Sequence, residues 1–310
     1  MTATRLKTRP LEKVWGKHEL PRGFAPRSGA GDPIGEIWFE DPDGGMPELL
    51  VKYLLTSEKL SIQVHPGNEA ARAAGYASGK DEAWLILEAE PGATIGLGLK
   101  SAVTKAELRA AALDGRIEEM VDWREVKAGD LIYSPAGTIH AIGPGLTLIE
   151  IQQNVDVTYR LYDYGRPREL HLDEAVAAAH PGPYVEPCTR REHAPGREIL
   201  ADCPSFVLER WTTAAAGTLF AEPGRPVWLV PVSGGGVIDR QAFHGPGAWL
   251  IDDSTRIRID EGSEILFAYP GSGVIENLIM QGDAAVVGLP QRKRFVPPSE
   301  ERLPHVAAKR

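Results

Sequence analysis

Cysteine is scarce in this sequence: Cys188 and Cys203 are the two present in 310 residues. Two are too few for a disulfide framework, and their spacing matches no zinc motif. One bridge between them stays open, but two reduced thiols are the expected state. Long apolar runs are also missing. No window approaches the roughly 18 uninterrupted apolar residues of a membrane span. The first ten residues are charged and lack an apolar core, so they do not read as a secretory signal, and a cytoplasmic protein is expected. Positive charge is in deficit, with 34 Lys and Arg against 43 Asp and Glu and a net charge of −9. That balance argues against nucleic acid or an anionic membrane as a partner. An anionic small molecule would need its own local cluster of Arg and Lys.

What the sequence does have is turn formers, with 33 Gly and 25 Pro. Between them lie short aliphatic runs at 49–55, 60–64, 83–87, 130–133 and 146–151. Many short strands separated by turn signals predict a sandwich or barrel. One helical stretch interrupts them at 104–121, where Leu108, Ala111, Ala112, Ile117, Met120 and Val121 recur at helical spacing. Thr104 and Glu107 fit a capping box at its start, and Gly115 is expected to split it into two short helices. A further short helix is expected over 173–179. Residues 182–195 are rich in Pro and charge and read as a linker. Strands return at 206–211, 227–232, 247–251, 257–259 and 264–268, with Gly234, Gly235 and Gly236 as a tight turn. The layout is therefore a first unit over 1–181 with a helical insertion around 101–122, a smaller β unit over 196–290, and a basic tail over 291–310.

Three segments carry candidate chemistry. In Leu60-Ser61-Ile62-Gln63-Val64-His65-Pro66, alternation turns Leu60, Ile62 and Val64 one way and Ser61, Gln63 and His65 the other. The amide of Gln63 and the imidazole of His65 then stand on one face, about 6–7 Å apart at their α-carbons. Taken alone, a solvent-facing polar edge is the simpler reading. The same holds for Glu82, which heads the apolar run Ala83-Trp84-Leu85-Ile86-Leu87. The third segment is more specific. Residues 129–140 fit G-x5-P-x-G-x2-H, in which Gly129 turns the chain into a strand, Pro135 and Gly137 make the next turn, and His140 begins the following strand.

That last pattern resembles the second motif of the cupin superfamily, small double-stranded β-helix (jelly-roll) barrels that hold a metal in their mouth. The resemblance implies a mainly β fold of two cupin-like barrels with a small helical insertion. It also implies a metal set of Gln63, His65, Glu82 and His140. One carboxylate with nitrogen and oxygen donors suits one Zn²⁺ per chain, with Mn²⁺, Fe²⁺ or Co²⁺ as substitutes. Gln-x-His followed by Lys80-x-Glu82 is similar to the type I mannose-6-phosphate isomerases. So are Trp15-Gly16, Gly35-Glu36-Ile37-Trp38 and the run from Asn154 through Thr158-Tyr159-Arg160 to Gly165-Arg166. The likeness covers roughly residues 10–180 and is that of the short bacterial form. In the second unit, His244 stands without a ligand pattern, as in a degenerate barrel.

The family resemblance implies an aldose–ketose isomerase that interconverts mannose 6-phosphate and fructose 6-phosphate through an enediol or enediolate. Such a reaction needs a Lewis acid, a base and a cation for the phosphate. Arg160 is the candidate for cationic help at an oxyanion or phosphate, because its fork and charge are permanent. Arg166 and Lys80 add positive charge, and Ser61 is a candidate for bonding the sugar or phosphate. For the base, Lys80, Glu150 and Asp156 remain open. Trp15 and Trp38 are expected in the core, with a pocket wall as the alternative. A small-molecule sugar phosphate is the expected partner, and a monomer or homodimer the expected assembly. Two other readings stay open: an isomerase of another sugar on this scaffold, and a non-catalytic cupin that binds metal and sugar.

Overall fold

The computed structural model describes residues 3–24 and 31–281. The basic tail expected at 291–310 lies outside the described residues. The described chain is built mainly from antiparallel strands in four sheets, as two stacked pairs.

The first pair is a barrel. One wall is six-stranded, in the order Lys7–Lys17, Ile34–Glu40, Leu49–Thr56, Leu146–Gln153, Glu82–Ala89, Leu131–Ser134. The other is five-stranded, in the order Tyr159–Tyr162, Ile62–Val64, His140–Ile142, Thr94–Leu99, Val121–Glu125. Leu49–Thr56 is buried at every residue and Leu146–Gln153 at all but its last. A strand covered on both faces must bury both sets of side chains, which explains why apolar residues in these two runs do not simply alternate with exposed polar ones. Inside the barrel lie Leu54, Trp84, Ile86, Ile95, Leu97, Ile142 and Leu148.

The outer face of the five-stranded wall is covered by the helices. Ile62 and Val64 point outward against Leu108, Ala111, Ala112 and Ile117, which leaves Gln63 pointing inward. Lys105–Asp114 carries the Thr104–Glu107 capping box, and Gly115 ends it with φ +84° before Ile117–Met120 begins.

The second unit pairs a seven-stranded sheet (Ala3–Arg5, Trp249–Ile251, Val227–Ser233, Glu264–Pro270, Phe206–Trp211, Arg197–Asp202, Arg191–Ala194) with a five-stranded one (Gln241–His244, Gly235–Ile238, Thr255–Ile259, Ala215–Leu219, Ile279–Gln281). Its seven-stranded sheet packs on the back of the six-stranded wall. Phe206, Leu208, Trp228, Val230 and Leu266 share one core with Val51, Tyr53, Leu85, Tyr133 and Ile149.

Several local expectations change. Residues 191–194, read as linker, form an edge strand of the seven-stranded sheet. Ala3–Arg5 crosses out of the first unit and pairs with Trp249–Ile251. Gly234 makes the turn by itself, while Gly235 and Gly236 already belong to the next strand. Cys188 and Cys203, expected as reduced thiols, are joined as a disulfide with Cα atoms 6.4 Å apart. Cysteine count carries no information on proximity. Burial of both residues in the core between the units brings them together.

Candidate metal centre

Strand register places the candidate ligands. In the five-stranded wall, Gln63 lies opposite His140 on one side and Arg160 on the other. These three residues form a row on adjacent strands. In the facing wall, Trp38, Lys52, Glu150, Trp84 and Ile132 form a second row across five strands. One step along, Gln152 pairs with Glu82 and Glu82 with Ser134. Side chains of period two on both walls therefore meet in the barrel interior.

His65, Glu82 and His140 converge there, all buried, with ligand atoms within 4.8 Å of one another. Among the described residues, this is the single group of three or more His, Cys, Asp or Glu side chains so arranged. His140 Nδ1 lies 2.9 Å from the Thr138 carbonyl, which can only accept. Nδ1 therefore carries a proton, and Nε2 faces Glu82 Oε1 at 3.1 Å. His65 Nε2 faces the same oxygen at 3.3 Å. Burial, then the Lys80 charge, lowers the His65 imidazole to about 3, so it is neutral. Burial alone would raise the Glu82 carboxyl, but the Lys80 charge beside it outweighs that and holds it well below the ordinary carboxylate range. A carboxylate oxygen and two imidazole nitrogens turned on one another in a dry interior need a proton or a cation between them. Lys80 meets part of that need by donating to Glu82 Oε2 and to His65 Nε2, the latter at 2.9 Å. Gln63 completes the donor set: its amide contacts His140 Nε2 at 3.2 Å, and a half-turn of that amide presents its oxygen instead. These residues fit a divalent ion of the zinc type, with two imidazoles, a carboxylate and an amide oxygen.

A cavity opens beside this cluster, lined by Ser61, Gln63, Lys80, Glu150, Asp156 and Arg160 from the sequence-predicted set. Lys52, Glu36, Trp15, Trp38 and Arg168 also line it. Both tryptophans are thus pocket walls, although Trp15 is core as well. Arg160 makes no ion pair with Asp156 or Asp163. Its Nε is buried without a partner, while Asp163 takes Arg166 and Arg168. Arg166 does not line the cavity. It donates to the Lys59 carbonyl at 2.9 Å and to Glu58 at 2.8 Å. Arg168, two residues on, holds the position expected of it.

Lys52 is the main residue that sequence reasoning missed. Burial alone would lower its ammonium, but Glu150 at 3.0 Å and Glu36 at 3.9 Å raise it and keep it charged. Its signal was legible: a lysine inside the apolar strand Leu49–Thr56 needs a buried anion. Glu150, for its part, is not an isolated carboxylate. One oxygen takes Lys52 and the other accepts from Trp84 Nε1 at 3.0 Å, and the Trp84 ring lies 5.3 Å from that of His140.

No protein-family profile matches the chain. Curated relatives do. The chain is 33% identical over 223 residues to mannose-6-phosphate isomerase ManA of Bacillus subtilis, covering 65% of this chain and 68% of that protein. It is 33% identical over 219 residues to the mannose-6-phosphate isomerase of Streptococcus mutans, covering 66% and 68%. The chain belongs to the mannose-6-phosphate isomerase family. The crystal structure of the family member from Bacillus subtilis superposes with a TM-score of 0.74 at 25% identity, covering 86% of this chain and 99% of that one. The two-barrel cupin architecture is thus the family's own.

Proposed function

We propose that this chain interconverts mannose 6-phosphate and fructose 6-phosphate by moving a proton between C1 and C2, with one Zn²⁺ held by Gln63, His65, Glu82 and His140, and that it acts in the cytoplasm. The observation that carries the proposal is the row Arg160–Gln63–His140 facing Glu82 across the barrel, with an unpaired guanidinium at the cavity end.

An ion held by Gln63, His65, Glu82 and His140 would supply Lewis-acid polarisation of the sugar carbonyl. The other work falls to side chains. Arg160, desolvated and unpaired, binds and orients an anionic oxygen. Ser61 and Arg168 line the same cavity and contribute to holding the phosphate. Lys52 stays protonated and offsets negative charge that develops on the sugar oxygens. Glu150 is the buried carboxylate on the wall placed to take and return the proton, Lys80 is the cation beside the ligands, and Asp156 stands exposed at the rim. Trp15, Trp38 and Ile142 give an apolar wall that limits water near the reacting carbons.

A coupled isomerase assay on protein stripped by chelator and reloaded with Zn²⁺ tests the reaction and the metal together. Restored turnover with mannose 6-phosphate is expected, and His140→Ala is expected to lose metal and turnover together. Folded, reloaded protein that turns over no sugar phosphate would reject the isomerase reading.

A further inference from the structure

Asp81 stands between Lys80 and Glu82, and its side chain points away from the cavity. Its carboxylate is nonetheless fully engaged. Oδ1 accepts from the Ala136 backbone N–H at 2.7 Å. Oδ2 accepts from the Tyr133 hydroxyl at 2.9 Å and from the Ser205 hydroxyl at 2.6 Å. The Asp81 backbone is pinned as well: its N–H donates to the Gln153 side chain at 3.1 Å, and its carbonyl accepts from the Gln153 N–H at 3.1 Å.

Each partner leads to a different part of the site. Ala136 lies in the turn before His140, and the next residue, Gly137, donates to the His65 carbonyl at 2.9 Å. Tyr133 lies on the strand that pairs with Glu82. Ser205 belongs to the second unit, in the turn between Arg197–Asp202 and Phe206–Trp211, beside the Cys188–Cys203 bridge. Phe206 packs its ring 5.4 Å from that of Tyr133, so this turn docks on the first unit through both an apolar and a polar contact.

We infer that Asp81 is a positioning residue for the metal centre, and that Ser205 makes the second unit part of the apparatus that sets it. The inference rests on the metal-centre reading above. One carboxylate fixes the spacing between the strand of Glu82 and the turn that delivers His140. The Ser205 hydroxyl fixes that carboxylate in turn. Outer-sphere partners of this kind typically govern metal affinity by about 10–100-fold. The second barrel, which brings no further group of metal-ligating side chains together among the described residues, would then act on the site through one turn.

The test is a Zn²⁺ titration of the full chain against a chromophoric chelator, alongside thermal melting. Ser205→Ala is expected to weaken Zn²⁺ binding about tenfold while the protein stays folded. Ser205→Thr, which keeps the hydroxyl, restores the affinity. Asp81→Asn is expected to weaken binding as well, because the amide lacks the charged acceptor that strengthens the bonds from the Ala136 N–H and the two hydroxyls. Arg190→Ala breaks another contact across the same interface, to the Leu131 carbonyl, and is expected to leave Zn²⁺ affinity unchanged. Ser205→Ala and Asp81→Asn proteins that hold Zn²⁺ as tightly as the wild type would overturn the inference. So would an equal loss in Arg190→Ala, which would indicate general loosening. A wild-type protein that binds no divalent ion would instead defeat the metal-centre reading.

Discussion

Single residues in this barrel are held by electrostatics that water does not screen. Arg160 has no carboxylate partner, so its charge is available to a ligand. Arg160→Lys keeps a charge but loses the fork. It is expected to lower kcat/KM about a hundredfold, with bound metal unchanged by elemental analysis. Glu36 shows the opposite case. Burial would raise its carboxyl, but Lys52, Lys13 and the Trp38 indole outweigh that and hold it below the ordinary value of 4.5. A depressed carboxyl contributes stability above its unfolded value and loses it as the pH falls through its folded value. Glu36→Gln is therefore expected to melt below the wild type at pH 7, with the gap closing under acid conditions. A constant gap between pH 7 and pH 3 would remove Glu36 as the source. In the second barrel, Glu209 is buried but saturated by Arg197 at 2.8 Å, by Trp211 Nε1 at 2.7 Å and by Tyr269. That interior satisfies Glu209 with protein donors, whereas Glu82 Oε1 has no hydrogen-bond donor.

Among the elements, the turn that delivers His140 is the most constrained. Gly137 has φ +86°, and a Cβ there would meet the His180 ring at 2.7 Å. Gly137→Ala is expected to cost roughly 1–2 kcal/mol from the left-handed backbone alone. It should also weaken metal binding, because the Gly137 N–H holds the His65 carbonyl. Urea unfolding and chelator competition read the two effects separately. This turn was legible from the Pro–x–Gly spacing. Its closure by His180, 43 positions further along the chain, was not. The helix start at Thr104 was also legible, because a capping box is a local device whose partners are three residues apart.

At the scale of the molecule, the two units share a core, and the first strand of the chain belongs to the second unit's sheet. Ala3–Arg5 completes the edge of the seven-stranded sheet before the chain enters the first barrel. Deleting the first five residues is expected to lower the unfolding midpoint and to speed hydrogen exchange at Trp249–Ile251, which would lose one of its two neighbouring strands. Unchanged exchange there would mean that the strand adds nothing to the sheet. The continuous packing from Tyr133 to Phe206 also predicts one cooperative transition rather than two, which calorimetry can check.

The sequence alone determined what depends on short range. Period-two alternation put Gln63 and His65 on one face, the glycine–proline spacing aimed His140, and the aliphatic runs marked the buried strands. That His65, Glu82 and His140 could form one cluster followed from the likeness to the cupin motif and the isomerase family, because the segments of Gln63, His65 and Glu82 taken alone read as exposed polar positions. Only the tertiary structure decided which cations serve the cavity. Arg166 and Arg168 are near-equivalent in sequence, but Glu58 and the Lys59 carbonyl hold the first while the second reaches the pocket. Lys52, the cysteine pairing and the Ser205–Asp81 contact likewise follow from strand register and sheet stacking. These are long-range pairings, set by which buried faces find each other, and no local spacing encodes them.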